Sequence, residues 1–182
     1  MKTIYRLKVI LLLGLSIIIL CIIAYGSLSP NKRVSESIQP IINDTLFYPT
    51  QCHVSLRDSL VDFGISFLDT PYVPGGCSKA GFDCSGFVYF VFQQFNVQVP
   101  RSSSQYKNFG KEISIDSVQK GDVLVFLSPT SNVLGHVGIV SNPNGMESDF
   151  MHATSGKEMK VVITSLKKSG YQRRFVKAVN VF

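Results

Sequence analysis

The sequence has few of the residues on which metal sites and nucleic-acid interfaces depend. It contains three histidines and four cysteines, and the cysteines form no Cys-x-x-Cys pair, the spacing typical of zinc and redox sites. Charged side chains make up only 16% of the chain, and they form neither a basic helix nor the basic, aromatic-interleaved stripe of a nucleic-acid reader. We therefore predict no metal, no cofactor and no nucleic-acid partner.

Much of the positive charge lies at the N-terminus. Half of the formal net charge of +6 comes from three residues that precede an apolar run at residues 9–25: Lys2, Arg6 and Lys8. Basic residues before an apolar run are typical of an export signal. Cleavage after Gly26 and retention as a membrane anchor are both compatible with this run, and Cys21 leaves lipid attachment open. We expect residues 1–26 to be a signal peptide or membrane anchor, and the protein to be exported to the periplasm or cell envelope.

The rest of the chain divides at a change in composition. Residues 27–51 are polar and punctuated by proline, without a period that would bury one face, so they are interpreted as a linker. Residues 52–182 have the length and apolar content of one domain. Cys52 and Cys77 could pair there in an oxidising compartment, which would leave Cys84 as the odd thiol.

The domain is predicted to be α+β, with helices first and strands afterwards. Ser55 is predicted to cap a first helix that ends before Pro71, and a second helix should run from Cys84 to Phe95 with an apolar stripe. Five strands are then predicted at residues 122–127, 136–141, 150–154, 161–164 and 175–181. This order indicates helices packed on one face of a small antiparallel sheet.

Cys84, at the start of the second helix, is a candidate nucleophile because a first turn supplies free N–H groups and a partial positive charge. Two histidines lie in neighbouring predicted strands, His136 and His152, on either side of a turn. If that hairpin is symmetric about Asn144, the two imidazoles are directly opposed and could share a hydrogen bond.

This arrangement suits Cys/His chemistry, in which a thiolate attacks a carbonyl and an imidazole holds the proton. The backbone N–H of Cys84 and the phenol of Tyr72 are candidates for stabilising the oxyanion. Each of these residues also has a structural interpretation: a buried cysteine packs as a small apolar residue, and a buried histidine is commonly satisfied by its neighbours. Arg173 and Arg174 are read as solvated charges, although an arginine at a cleft can hold a carboxylate.

Seven segments in order resemble the NlpC-type peptidoglycan endopeptidases, which are papain-like cysteine peptidases. The segments are TPYVPGG, GFDCSGF, VPRSSSQ, KGDVLVF, GHVGIV, FMHATS and YQRRFVKAV. The resemblance implies a papain-like fold, a catalytic triad of Cys84, His136 and His152, and an oxyanion role for Tyr72.

The resemblance also implies a substrate, the stem peptides of peptidoglycan, cut between γ-linked D-glutamate and a diamino acid. It implies that Asp83 and Ser85 contact the free amine end of the stem and that Arg101 lies near the cleft. One position departs from the family pattern: Pro74 stands where an aromatic residue, commonly tryptophan, precedes the two glycines, and this sequence has no tryptophan.

Two other functions are compatible with the same residues. An amidase or acyltransferase would pass the acyl group to an amine instead of water, and product analysis with added amine separates it from a hydrolase. A wall-binding protein with an inactive site is the second alternative. The intact set of Cys84, His136 and His152 favours an enzyme.

Overall fold

The computed structural model describes residues 54–182. The predicted signal or anchor (residues 1–26), the linker (residues 27–51) and the Cys52–Cys77 pairing lie outside the described residues. Among residues 54–182, no helix is both long enough and apolar enough to cross a membrane.

The first helix, α1 (Leu56–Ile65), begins where the sequence predicts. Ser55 caps it by accepting a hydrogen bond at its Oγ from the N–H of Asp58 at 3.1 Å, which satisfies one of the free donors of the first turn. The helix ends earlier than the predicted limit at Pro71. Tight turns follow it, and Asp69 has a φ of 68°, a left-handed conformation that a helix cannot continue.

A tight turn and a short hairpin connect the two main helices. The N–H of Gly76 donates to the carbonyl of Val73 at 2.8 Å, and Gly75 between them has a φ of 73°. Proline followed by a glycine with positive φ is the pattern of a type II turn, so Pro74 fits this loop for a conformational reason. The hairpin that follows consists of β1 (Cys77–Ser78) and β2 (Gly81–Phe82).

The second helix, α2 (Cys84–Gln93), confirms the prediction of a helix that begins at Cys84. Its buried residues include the predicted apolar stripe of Phe87, Val88, Val91 and Phe92. This stripe packs on the central strands of the main sheet. The helix is therefore fixed along its length by burial, and its first residue is held in a defined place.

Six antiparallel strands form the main sheet. They are β3 (Lys111–Ile113), β4 (Val123–Leu127), β5 (Leu134–Asn142), β6 (Asp149–Ala153), β7 (Val161–Ser165) and β8 (Phe175–Asn180), in the spatial order β3-β8-β4-β5-β6-β7. A short helix, α3 (Ser169–Gln172), precedes β8, and 3-10 turns occupy Ser103–Asn108, Ile115–Ser117 and Gly145–Glu147. The five predicted strands are all present, whereas β3 and the β1–β2 hairpin were not predicted.

Both faces of the main sheet are covered. On one face, α1 and α2 enclose a core that includes Val137, Ile139 and Met151. On the other face, Phe126 and Phe150 belong to a second, smaller core closed by α3 and neighbouring loops. The predicted α+β class, with helices on one face, is confirmed, and the opposite face has a core of its own.

Candidate active site

Cys84 is held at the start of α2 by the residue before it. The Oδ1 of Asp83 accepts a hydrogen bond from the N–H of Gly86 at 2.6 Å and so caps the helix. The Sγ of Cys84 lies 3.8 Å from the carbonyl oxygen of Gly135 on β5, which immediately precedes His136. The start of the helix thus meets the start of the histidine-bearing strand.

A chain of hydrogen bonds runs from His136 into the sheet. The Nε2 of His136 lies 3.0 Å from the Nδ1 of His152, and the Nε2 of His152 lies 3.1 Å from the Oγ1 of Thr164. His152 is fully buried. Because His136 uses Nε2 for this chain of hydrogen bonds, its Nδ1 takes no part in it.

The predicted register of the histidine hairpin was wrong by two residues, because His152 lies opposite Gly138 instead of His136. Ile139 pairs with Met151, and the register shifts between Val140 and Asn142, so the hairpin is not symmetric about Asn144. The turn of the hairpin is the 3-10 segment Gly145–Glu147, so its centre lies beyond Asn144. The two histidines are therefore diagonal neighbours on one face of the sheet, a separation that long and aromatic side chains still span.

Gly138, between the two histidine positions, leaves room for this diagonal contact. A Cβ on Gly138 would lie 2.5 Å from the Cδ2 of Phe150 and 3.2 Å from the Cβ of His152. Both distances are too short for a close-packed interior. The glycine of the GHVGIV segment thus allows the aromatic rings to pack closely over β5.

One cavity of about 210 Å³ brings three of the predicted site residues together, because Tyr72, Cys84 and His136 all line it. The loop after β6 lines it as well, at Ser155. The phenol of Tyr72 therefore shares a space with the thiol, as an oxyanion donor requires. Among residues 54–182, no group of three His, Cys, Asp or Glu side chains is placed to hold a metal ion.

The three predicted substrate contacts form a separate polar network beside this cavity. Arg101 donates to both carboxylate oxygens of Asp83, at 3.0 and 2.9 Å, and to the Oγ of Ser85 at 3.1 Å. It also donates to the carbonyl of Gly75 in the type II turn at 2.8 Å. Asp83, Ser85 and Arg101 are thus brought together on the helix side of Cys84.

The ionisable groups of the site favour neutral forms in the free protein. Burial, followed by the negative charge of Asp83, raises the pKa of Cys84, and nearby backbone N–H groups oppose this only in part. Burial, followed by the charge of Arg174, lowers the pKa of His136, and burial also lowers the pKa of His152. The helix start alone therefore does not bring the pKa of Cys84 below its ordinary value, contrary to the simplest expectation from its dipole.

Sequence reasoning missed Thr164 and Tyr171 and left Arg174 undecided. Thr164 ends the hydrogen-bond chain, and Tyr171 lines the cavity with its ring centroid 5.1 Å from that of His152. Alternation along β7 would have placed Thr164 on the histidine face, had the pairing of that strand been known. No local signal marks Tyr171, because its contact depends on the fold of α3.

A family model described as the NlpC/P60 family matches residues 69–180. The chain is 33% identical over 150 residues to the probable endopeptidase NlpC of Escherichia coli strain K12, covering 82% of this chain and 83% of that protein. It is 30% identical over 130 residues to the murein DD-endopeptidase MepS/murein LD-carboxypeptidase of the same strain, covering 71% and 65%.

A third relative is the gamma-D-glutamyl-L-lysine dipeptidyl-peptidase of Bacillus cereus. The chain is 30% identical to it over 158 residues, which is 86% of this chain and 45% of that protein. A probable endopeptidase of Haemophilus influenzae also matches, and the match covers 52% of its length. Across these four relatives, the part that matches this chain ranges from 45% to 83% of the relative's own length.

Solved structures show the same fold. An NlpC/P60 family protein from Bacillus cereus aligns with a TM-score of 0.62 at 27% identity, covering 70% of this chain and 40% of that one. The NlpC/p60 domain of the peptidoglycan hydrolase SagA aligns with a TM-score of 0.56 at 27% identity, covering 69% and 99%. The matched residues include Cys84, His136 and His152, and the chain belongs to the NlpC/P60 family.

Proposed function

We propose that the protein is a cysteine peptidase that hydrolyses peptidoglycan stem peptides. The observation that carries this proposal is the placement of Cys84 and His136 around one cavity, with the His136 ring tied through His152 to Thr164. Family membership supports it, since the relatives are named as peptidases. Peptidoglycan as the substrate follows from the murein and γ-D-glutamyl peptides in those names.

The first half of the reaction forms a thioester. The Sγ of Cys84 attacks the scissile carbonyl carbon while its proton passes to the Nδ1 of His136. The C–N bond then breaks, and His136 returns the proton to the departing amine. Because burial raises the pKa of Cys84 and lowers the pKa of His136, we expect proton transfer to accompany the attack.

The second half hydrolyses the thioester. His136 takes a proton from water, whose oxygen attacks the carbonyl carbon. The C–S bond breaks, and the acid product leaves while Cys84 regains a proton. In both halves the carbonyl oxygen gains negative charge, which the phenol of Tyr72 and the N–H of Cys84 would stabilise. The loss of one such donor typically costs about 3 kcal/mol.

We further propose that the bond cut joins γ-linked D-glutamate to a diamino acid, with Asp83 and Ser85 holding the free amine end of the stem and Arg101 orienting Asp83. This network lies beside the nucleophile and contains the carboxylate that an ammonium group needs. Arg101 neutralises Asp83 in the free protein, so amine binding would share that carboxylate.

The bond is tested by incubating the full chain with stem tripeptides, tetrapeptides and crosslinked dimers, each with a free N-terminal amine and with that amine blocked by the disaccharide, and identifying products by mass. Cleavage after γ-D-glutamate supports the proposal. Cleavage of the crosslink alone would contradict the proposed bond and would indicate a DD-endopeptidase, the activity in the name of the MepS relative. Transfer to an added amine in preference to water would indicate an acyltransferase.

Cys84→Ala should lower the rate by at least about 10³-fold, because it removes the nucleophile. Cys77→Ser is the matched control, since the Sγ of Cys77 contacts the carbonyl of Gly86 at 3.5 Å and does not line the cavity. Undiminished activity in Cys84→Ala would remove Cys84 from the mechanism. A thiol probe that labels wild-type Cys84 no faster than free cysteine, with no cleavage, would support an inactive binding protein.

We also propose that the protein acts outside the cytoplasm, where its substrate lies. The support is the sequence alone: a basic start followed by the apolar run at residues 9–25. Cell fractionation of the full chain, compared with a variant that has charged residues within that run, tests this. Equal cytoplasmic recovery of both would contradict export.

A further inference from the structure

Arg174 is the only charged side chain among the residues that line the Cys84 cavity. It enters from the segment between α3 and β8, on the side of His136 and Tyr171. The polar network of Asp83, Ser85 and Arg101 lies outside this lining. The cavity therefore carries one positive charge, and that charge sits beside the histidine.

The guanidinium of Arg174 is held in place by the backbone. Its Nε donates to the carbonyl of Gly170 at 2.8 Å, and its Nη1 donates to the carbonyl of Leu127 at 2.9 Å. Its central carbon lies 4.9 Å from the centroid of the Tyr171 ring. These contacts fix the plane of the guanidinium, and the other group that it approaches closely is the phenol of Tyr171, which carries no charge.

Arg174 differs from the other structurally anchored arginines in having no carboxylate partner. Arg57 pairs with Asp122 at 2.8 Å and Arg101 with Asp83 at 2.9 Å. Within residues 54–182, no carboxylate oxygen lies within 4.0 Å of Arg174. A half-buried cation oriented by neutral groups at a cavity wall is suited to an anionic ligand.

An unneutralised Arg174 also opposes the chemistry. Its positive charge lowers the pKa of both His136 and His152, so it disfavours the imidazolium that must form when Cys84 gives up its proton. A negative charge brought in by the substrate would offset this repulsion at the moment of reaction. Binding and catalysis would then depend on the same anion.

The position of Arg174 indicates which part of the substrate carries that anion. An imidazole that protonates a departing amine must face the leaving group, so the His136 side of the cavity accepts the leaving amino acid. Arg174 lies on this side.

We propose that Arg174 binds a carboxylate on the amino acid whose amine leaves, and that this contact selects stem peptides with such a carboxylate. The inference rests on the proposed function and adds a leaving-group subsite to it. Two sources present the same chemistry. One is the side-chain carboxylate of a diaminopimelate residue, and the other is the C-terminal carboxylate when the leaving amino acid ends the peptide.

The test measures kcat/KM of the full chain on four peptides that begin with L-Ala-γ-D-Glu. The third residue is diaminopimelate or lysine, and each peptide either ends there or continues with D-Ala. Lysine lacks the side-chain carboxylate, and the added D-Ala converts the C-terminal carboxylate of the third residue to an amide. The four peptides thus separate the two sources.

Arg174→Gln should lower kcat/KM by about 10- to 100-fold on the peptide that carries the recognised carboxylate and by less than about 3-fold on the peptide without either carboxylate. The acid limb of its pH profile should move to higher pH, because a positive charge near His136 is gone. Arg173→Gln is the matched control, since Arg173 is the exposed neighbour. Arg174→Lys should retain part of the preference.

The outcomes separate this inference from the proposed function. An equal loss on all four peptides in Arg174→Gln, with an unmoved acid limb, would make Arg174 purely structural and overturn the inference while leaving the peptidase in place. No cleavage of any peptide by the wild type would contradict the proposed function itself. A loss that follows the diaminopimelate side chain, or one that follows the free C-terminus, supports the inference and identifies the source.

Discussion

The two histidines of the site have different environments, although they share a hydrogen bond of 3.0 Å. His136 lines the cavity, whereas His152 is fully buried and forms a hydrogen bond with the hydroxyl of Thr164. Both hydrogen bonds are satisfied when each histidine carries its proton on Nε2. The Nε2–H of His136 then donates to the Nδ1 of His152, and the Nε2–H of His152 donates to the Oγ1 of Thr164. This arrangement leaves the Nδ1 of His136 as the acceptor that general-base catalysis needs.

The substitution Thr164→Val tests this chain of hydrogen bonds. The variant keeps the shape of the side chain and removes the acceptor for the Nε2–H of His152, which is left buried without a partner. The loss of about 1 kcal/mol of orienting interaction should lower kcat about 5-fold. KM should change little, because Thr164 does not line the cavity. Steady-state kinetics on a stem tripeptide provide the measurement.

Ser165→Ala is the control for that substitution. It removes a neighbouring hydroxyl on β7 whose hydrogen bond goes to the carbonyl of Glu147 at 3.4 Å, and alternation along the strand points it away from the histidines. A wild-type kcat in Thr164→Val would show that His152 is oriented without the threonine. Equal losses in both variants would indicate a general effect on β7.

At the scale of elements, the helices and strands that could be predicted from the sequence are those that local sequence patterns determine. The helix that begins at Cys84 follows from its apolar stripe and the capping Asp83, and the strand at residues 123–127 follows from a short apolar run between turn residues. Both signals act within ten or so residues. Hence the helix and the position of Cys84 at its start could be predicted before any tertiary structure was known.

What the sequence did not predict depends on pairing between distant segments. The register of β5 with β6 depends on the 3-10 turn at Gly145–Glu147 and on an irregularity near Asn142, and symmetry about Asn144 cannot reveal it. Thr164 reaches the site because β7 pairs with β6, and Arg174 reaches it because the segment after α3 lies on the histidine face. A one-residue shift in any of these pairings would move the side chains to the opposite face.

The start of α1 is tied to the start of β4 by a partly buried ion pair. Arg57 donates from Nη1 to Asp122 at 2.8 Å and to the carbonyl of Lys120 at 2.6 Å, and Asp122 is fully buried. The N–H of Gln119 donates to the second oxygen of Asp122 at 2.8 Å. Both carboxylate oxygens of Asp122, the aspartate of the KGDVLVF segment, thus accept a hydrogen bond.

Arg57→Ala should destabilise the domain by about 2–3 kcal/mol. The substitution leaves Asp122 as a buried charge without its cation, and breaking one side of a buried pair costs about 3–5 kcal/mol; the partial exposure of Arg57, 20%, reduces that figure. Chemical denaturation followed by circular dichroism gives the free energy of unfolding. Lys120→Ala, which removes an exposed pair with Asp58, should produce no measurable change, and equal effects of the two variants would contradict this account.

At the scale of the whole molecule, the two histidines of the candidate site belong to the packing of the second core. Phe150 stacks on His152 with ring centroids 4.7 Å apart, and Phe126 lies 5.8 Å from His136. The imidazoles therefore form part of the apolar packing that closes the sheet opposite α2. Because these ionisable side chains contribute to the core, their protonation is linked to the stability of the fold.

This linkage predicts that the protein loses stability in mild acid. Burial lowers the pKa of both His136 and His152, with further lowering by nearby positive groups, while an unfolded chain has a histidine pKa of about 6.5. The unfolded state therefore binds more protons as the pH falls below about 6.5. The stabilisation present above that pH is lost progressively as the pH falls toward the folded-state values.

Each such histidine contributes a slope of up to about 1.4 kcal/mol per pH unit to the free energy of unfolding. Chemical denaturation between pH 7.5 and 5 should show this decline at pH values where carboxylates are still largely ionised. The variant with His136→Gln and His152→Gln should be less stable at pH 7.5 but should show a flatter dependence on pH. An unchanged slope in that double variant would assign the acid sensitivity to other groups, and the imidazole pair would then not be held neutral by its burial in the second core.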